Sequence, residues 1–284
     1  MAVPYGVSSM VAPLRHVLVQ RPTAAFGAAF ANPANGYLRP VDLDVARKEH
    51  ELFVELLASL GPAVHDLDAD SPYTDQIYTY DPALVTDDGA ILLRSGKAAR
   101  RGEEELLANW FGRNEIPLIG HIEAPGSVDG GDVFWLRPDM PCVGRSLRTN
   151  QSGIDQLAPL LGEVHVFDVA YDAGPEACLH LMSVISMIAD DLALVERGRL
   201  PAGLHSLLHD LGVRLIDVAP DEIATVATNV LAVEPGVVMT VAGNPQTRAA
   251  MEAAGVEVHE FAGDEIVING TGGPTCLTRP VLRT

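Results

Sequence analysis

A helix, a closing glycine and a short apolar strand recur along this chain, and that repeat restricts the fold more than any single motif does. Residues 41–59 carry Val45, Phe53, Leu56 and Leu57 at helical spacing with charges between them. The pattern breaks at Leu60-Gly61, before the strand-like Ala63-Val-His-Asp-Leu67. Residues 155–161 lead through Gly162 into Val164-His-Val-Phe-Asp168, residues 204–211 through Gly212 into 213–217, and residues 247–254 through Gly255 into 256–260. A weaker copy joins residues 103–111 to Ile116-Pro-Leu-Ile-Gly120. Glycine is the favoured residue just past a helix end because it takes a left-handed backbone without a Cβ penalty. The units fall roughly 40–50 residues apart, a period that marks repeat architecture.

Strand pairs lie between the helices, as in residues 191–195, 230–234 and 237–241, and residues 11–20 read as a first strand. About five units of strands plus one helix can be counted this way. An all-β propeller has similar periods but no helices. The class is therefore α/β, with the five units either closed in a ring around a central channel or laid out as an open doubly wound sheet. The glycine fingerprint of dinucleotide-binding sheets is missing after the first strand, so a nucleotide fold has little support. We expect a single domain over 1–284. Residues 24–36, small and rich in Asn-Pro and Asn-Gly, read as a loop too long for a plain connector, and hence as a lid.

Net charge narrows the partners. At −19 the chain is a poor candidate for nucleic acid, which needs clustered Lys and Arg; an acidic surface mostly gives solubility, and it would also attract a cationic small molecule. No apolar run reaches membrane-spanning length and Val3-Pro4-Tyr5 does not begin a secretory signal, so a soluble, cytoplasmic protein is expected. The three cysteines, Cys142, Cys178 and Cys276, are widely spaced and odd in number, which disfavours a disulfide framework or a structural zinc site.

Three stretches carry chemistry. Residues 265–268 read as a strand leading into Asn269-Gly-Thr-Gly-Gly-Pro-Thr-Cys276, a glycine-rich turn that would present a cysteine to a small molecule. Cys276 is then either a thiolate nucleophile or a small buried hydrophobe. Asp129-Gly-Gly-Asp132, ahead of an apolar strand, is either a turn with capping aspartates or an acid that orients a histidine. Of nine histidines, His65, His165 and His259 belong to the repeated strand, and His205 and His209 share a polar helix face. His180 stands at the start of an apolar run, as a core residue or an acid/base.

Together these stretches resemble the guanidine-modifying, or pentein, superfamily, whose members include arginine deiminases, dimethylarginine dimethylaminohydrolases and amidinotransferases. Gly-Gly-Pro-Thr-Cys276 is similar to its nucleophile turn, Leu179-His180-Leu181 to its acid/base strand, Val128-Asp129-Gly-Gly-Asp132 to its acid segment, and Tyr80-Asp81-Pro82 to the segment whose aspartate holds the guanidinium. Arg100-Arg-Gly-Glu103 and Arg148-Thr-Asn150 resemble strings of the bacterial dimethylarginine dimethylaminohydrolases, to which the chain is most similar.

The resemblance implies a five-bladed α/β-propeller of ββαβ units around a central channel. It implies Cys276, His180 and Asp129 as catalytic residues, Asp81 on the guanidinium, Arg100 and Arg148 on an α-carboxylate, and Asp75 on an α-amino group. The implied reaction is hydrolysis of a guanidine C–N bond through a cysteine thiouronium, giving citrulline and an amine, with no metal or organic cofactor. Amidinotransferase and arginine deiminase are the alternatives within the family, and a non-catalytic scaffold on the same fold is the alternative outside it. Asp129 stands where the hydrolases usually carry Glu and amidinotransferases carry Asp. Tyr80 replaces a second acid. Met182 replaces the aspartate with which deiminases and amidinotransferases grip the guanidinium, which favours an N-substituted guanidine. The expected partner is a guanidino amino acid, and the blade edges leave a homodimer open.

Overall fold

The computed structural model describes residues 3–170 and 179–284. The first unit contains β1 (Leu14–Val19), α1 (Leu43–Ser59) and β2 (Ala63–Asp66). The second contains β3 (Ala83–Thr86), β4 (Gly89–Leu92), α2 (Glu103–Arg113) and β5 (Leu118–His121). The third contains β6 (Val133–Arg137), β7 (Met140–Arg145), α3 (Gln151–Leu161) and β8 (His165–Asp168). The fourth contains β9 (Ile185–Ala189), β10 (Leu192–Val195), α4 (Ala202–Asp210) and β11 (Arg214–Asp217). The fifth contains β12 (Leu231–Glu234), β13 (Val237–Val241), α5 (Pro245–Ala253) and β14 (Glu257–Phe261), and β15 (Arg279–Arg283) ends the chain.

These strands form five three-stranded sheets of one pattern. In each, two strands pair antiparallel, a helix crosses over, and the last strand adds parallel to the middle one. The first blade borrows its outer strand from the far end of the chain: β15 runs antiparallel to β1, with Leu14 opposite Arg283. The architecture is a five-bladed α/β-propeller, closed by pairing its two ends.

Local chemistry accounts for the helices. Asp42 caps α1 by accepting the Asp44 and Val45 N–H groups, and Asn150 caps α3 by accepting that of Gly153. Gly61, Gly162, Gly212 and Gly255 all take positive φ at the helix ends, as the repeat predicts. The weak second copy has Glu115 there, at φ 61, which made its signal in the sequence fainter than the others. Each helix buries one face; Phe53 of α1 lies 4.9 Å, ring to ring, from Phe261 of β14.

Three local expectations are corrected. Residues 265–268 lie not in a strand but in a wide helical turn, Asp264–Asn269, because the Glu49 carboxylate of α1 accepts the N–H groups of Asp264, Glu265 and Ile266. Residues 24–36 are not an irregular loop but three short helical turns, Ala24–Gly27, Ala29–Ala31 and Pro33–Asn35, with Phe26 buried beneath α1 and Asn32 capping the third turn. The strand of the weak copy begins at Leu118 rather than Ile116.

Candidate functional site

Four of the polar residues singled out in the sequence come from equivalent places in different blades, the segments leading into each first strand. Asp81 precedes β3, Asp129 precedes β6, His180 precedes β9 and Cys276 precedes β15. The Tyr80 N–H donates to the Cys276 carbonyl at 3.2 Å, tying the Cys276 turn to the second blade. Asp129 is fully buried, and its Oδ2 lies 3.1 Å from His180 Nε2 and 3.0 Å from Arg148 Nη1. Its Oδ1 accepts the Gly96 N–H at 3.0 Å. The two glycines of the motif are required by closeness. A Cβ on Gly130 would stand 2.2 Å from the Tyr80 carbonyl oxygen, and one on Gly131 would stand 2.4 Å from His180 Nδ1. The Gly131 N–H then donates to Asp81 Oδ1 at 2.8 Å.

Burial opposes ionisation of Asp129, but the hydrogen bond and charge of His180, with Arg148 behind, outweigh it and hold the carboxyl well below the usual range. Asp132 accepts the Leu181 N–H and the Ser146 hydroxyl, yet its burial pushes it up to about 6. Burial, then the charge of Asp81, pushes the Cys276 thiol up to about 11, against the opposing charges of His180 and Arg100. Cys276 is only partly buried, whereas Cys142 is enclosed and pushed up to about 12. Cys178 lies outside the described residues.

The cation-binding residues are already engaged. The guanidinium of Arg100 is paired with Asp81, and with Glu103 at 2.7 Å, and it donates to the Asp75 and Tyr78 carbonyl oxygens. Asp75 accepts the Tyr37 hydroxyl at 3.1 Å and the ammonium of Lys97 at 2.6 Å. Lys97 also donates to the Asn35 carbonyl oxygen, linking the 24–36 segment to the site. Each carboxylate assigned to one end of a guanidino amino acid thus holds an internal cation of the same type, guanidinium on Asp81 and ammonium on Asp75. Asp81, Asp129 and His180 each bring one ligand atom within 4.8 Å of the others. With Arg100 and Arg148 on the two carboxylates, this donor set suits planar guanidinium better than a metal ion.

Arg100 and Arg148, expected on a carboxylate, rest on Asp81 and Asp129 in this state. Tyr80 is buried, with its hydroxyl near the Val133 carbonyl oxygen, and lines a small cavity with Met182 and Ser186. His205 and His209 lie on α4, His205 beside Arg197 and His209 beside Asp210, and do not form a joint site. Sequence reading missed Lys97, Tyr37 and Asn229. Lys97 and Tyr37 carry no local signal; Asn229, whose amide lies 3.5 Å from Cys276 Sγ, could have been found from its place before the strand at 230–234.

The arginine deiminase family model matches residues 70–205 and 196–283. The chain is 27% identical to N(G),N(G)-dimethylarginine dimethylaminohydrolase of Pseudomonas aeruginosa over 266 residues, covering 93% of this chain and 98% of that one. An uncharacterized Bacillus subtilis protein, YkgA, is 28% identical over 86% of this chain and 82% of its own length. Among solved structures, a mutant of the Pseudomonas hydrolase complexed with citrulline matches with a TM-score of 0.79 at 24% identity, covering 94% of this chain and 99% of that one. SxtG, an amidinotransferase of Microseira wollei, matches with a TM-score of 0.77 at 17% identity, covering 99% and 98%. These two likenesses bear on the fold, whereas the family model spans most of the chain, including Asp75, Asp81, Asp129, His180 and Cys276. The chain belongs to the arginine deiminase family, within the pentein superfamily.

Proposed function

We propose that the protein is a guanidino hydrolase that cleaves a C–N bond of an arginine-type substrate at Cys276. The observation that carries this reading is Arg100 itself: a guanidinium already lies against Asp81 in the site that contains Asp129, His180 and Cys276. Substrate would enter by exchange, its guanidinium replacing Arg100 on Asp81 and its α-ammonium replacing Lys97 on Asp75. Arg148, with 18% of its side chain exposed, and the displaced Arg100 would take the carboxylate.

Cys276 then gives its proton to His180 as its sulfur bonds to the guanidinium carbon. The C–N bond to the departing amine breaks as His180, oriented by Asp129, supplies that nitrogen with a proton. His180 next removes a proton from water, whose oxygen bonds to the thiouronium carbon. The S–C bond breaks, leaving a ureido product and the thiolate. Met182 offers no carboxylate to the substituted nitrogen, which favours an N-methylated arginine. Asp129, one methylene shorter than Glu, supports the second reading, an amidinotransferase in which an amine replaces water.

The test is a ureido-product assay on arginine, monomethylarginine, asymmetric dimethylarginine, agmatine and guanidinoacetate, with Cys276→Ser as control. Citrulline from methylated arginines, lost in the variant, is expected. Amidino transfer to added glycine or ornithine without any ureido product would overturn hydrolysis in favour of transfer.

A further inference from the structure

Four of the five blades supply a polar side chain to the site from the segment before the first strand, as described above. In the remaining blade, the segment before β12 holds Asn229. We propose that Asn229 is the fifth member of the site, a hydrogen-bond donor to the Cys276 sulfur that favours its thiolate form.

The geometry fixes which end of the amide meets the sulfur. Asn229 Oδ1 accepts the backbone N–H of Thr275 at 3.0 Å, and an NH2 group cannot do that. The NH2 end is therefore turned to Cys276 Sγ, 3.5 Å away. One side chain thus braces the turn and donates to its nucleophile. Its surroundings are shaped around it. Asn229 is 6% exposed, and a Cβ on Gly273 would stand 2.4 Å from its Cγ, so the second glycine of Gly-Gly-Pro-Thr-Cys276 makes room for this amide. The Asn229 N–H donates to the carbonyl of Val226, which has φ 62, a left-handed backbone that a β-branched residue keeps only when its neighbours hold it there. An N–H donor strengthens on facing an anion, so the amide favours the ionised sulfur over the thiol.

The inference rests on Cys276 being the nucleophile of the proposed reaction, but its test needs no substrate. Alkylation of Cys276 by iodoacetamide is followed against pH in the full chain, its Asn229→Ala and Asn229→Asp variants, and Cys276→Ser as blank. Asn229→Ala removes the donor, and alkylation near neutral pH should slow by about threefold to fivefold, since the scarcer thiolate is also more nucleophilic. Asn229→Asp keeps the acceptor for Thr275 and places a carboxylate against the sulfur. It should react more than about tenfold slower, with the pH profile displaced upward. A brace acting only on Thr275 predicts the opposite order, with Asn229→Asp matching the parent. Asn229→Asp within roughly twofold of the parent, at an unchanged pH profile, would overturn the proposal even if Asn229→Ala fails to fold. Failure of guanidine hydrolysis would appear separately, as absent ureido product with the alkylation order intact.

Discussion

At the residue scale the site is a set of charges held in pairs, which has consequences for reactivity. With the Cys276 thiol raised to about 11 by burial and by Asp81, the thiol form prevails at neutral pH, and thiolate grows as pH rises toward that value. Alkylation by neutral iodoacetamide should therefore climb steeply from about pH 7 to about pH 10. A haloacetamidine, whose cation can neutralise Asp81, should react faster and with a flatter profile; equal slopes for both reagents would refute the role given to Asp81. Lys97 occupies Asp75, where the proposed reaction places the substrate's α-ammonium. Lys97→Met should lower KM for amino-acid substrates by about fivefold, the equivalent of about 1 kcal/mol, and leave a guanidino acid without the amine unchanged. A raised KM would instead make Lys97 a carboxylate ligand.

Elements transmit these positions. The Cys276 turn follows the 264–269 helical turn, and that turn is capped by Glu49, on a different element more than two hundred residues earlier in the chain. Glu49 is buried, so its removal strands three N–H groups near the core. Glu49→Ala should cost about 2 kcal/mol in urea unfolding and slow Cys276 alkylation. Unchanged stability would mean that the turn holds without its cap. This cap also explains an error of sequence reading. Glu265 to Ile268 look like a strand, and nothing nearby in sequence reveals a carboxylate arriving from α1. The helices and their glycine ends were legible because their signals are local. The unit ending at Glu115 was faint because a non-glycine residue takes the left-handed position there.

For the whole molecule, closure is what assembles the site. β15 pairs with β1, and buried arginines fasten the seam: Arg283 donates to the Ala12 and Ala232 carbonyl oxygens, and Arg279 to those of Tyr80 and Ala83. Arg279 also stacks over the Tyr80 ring, 4.0 Å from its centre. Deleting residues 279–284 should unpair β1 on one side, leave Cys276 unfixed and abolish cooperative thermal unfolding by circular dichroism. A truncated chain that still melts cooperatively would show that closure is dispensable.

The five-unit repeat and the α/β class could be read along the chain, because periodicity, caps and glycine turns are encoded within a few residues of where they act, and Asp81, Asp129, His180 and Cys276 stood out through the resemblance of their segments to a known superfamily. The pairings could not. Arg100 on Asp81 and Lys97 on Asp75 lie beyond the reach of any local motif, and Glu49 under the Cys276 turn and Asn229 against the sulfur join segments of different blades. Tertiary packing, within a blade for the first two and between blades for the others, brings them into contact, and the buried polar partner that decides each pair is recorded by no linear spacing.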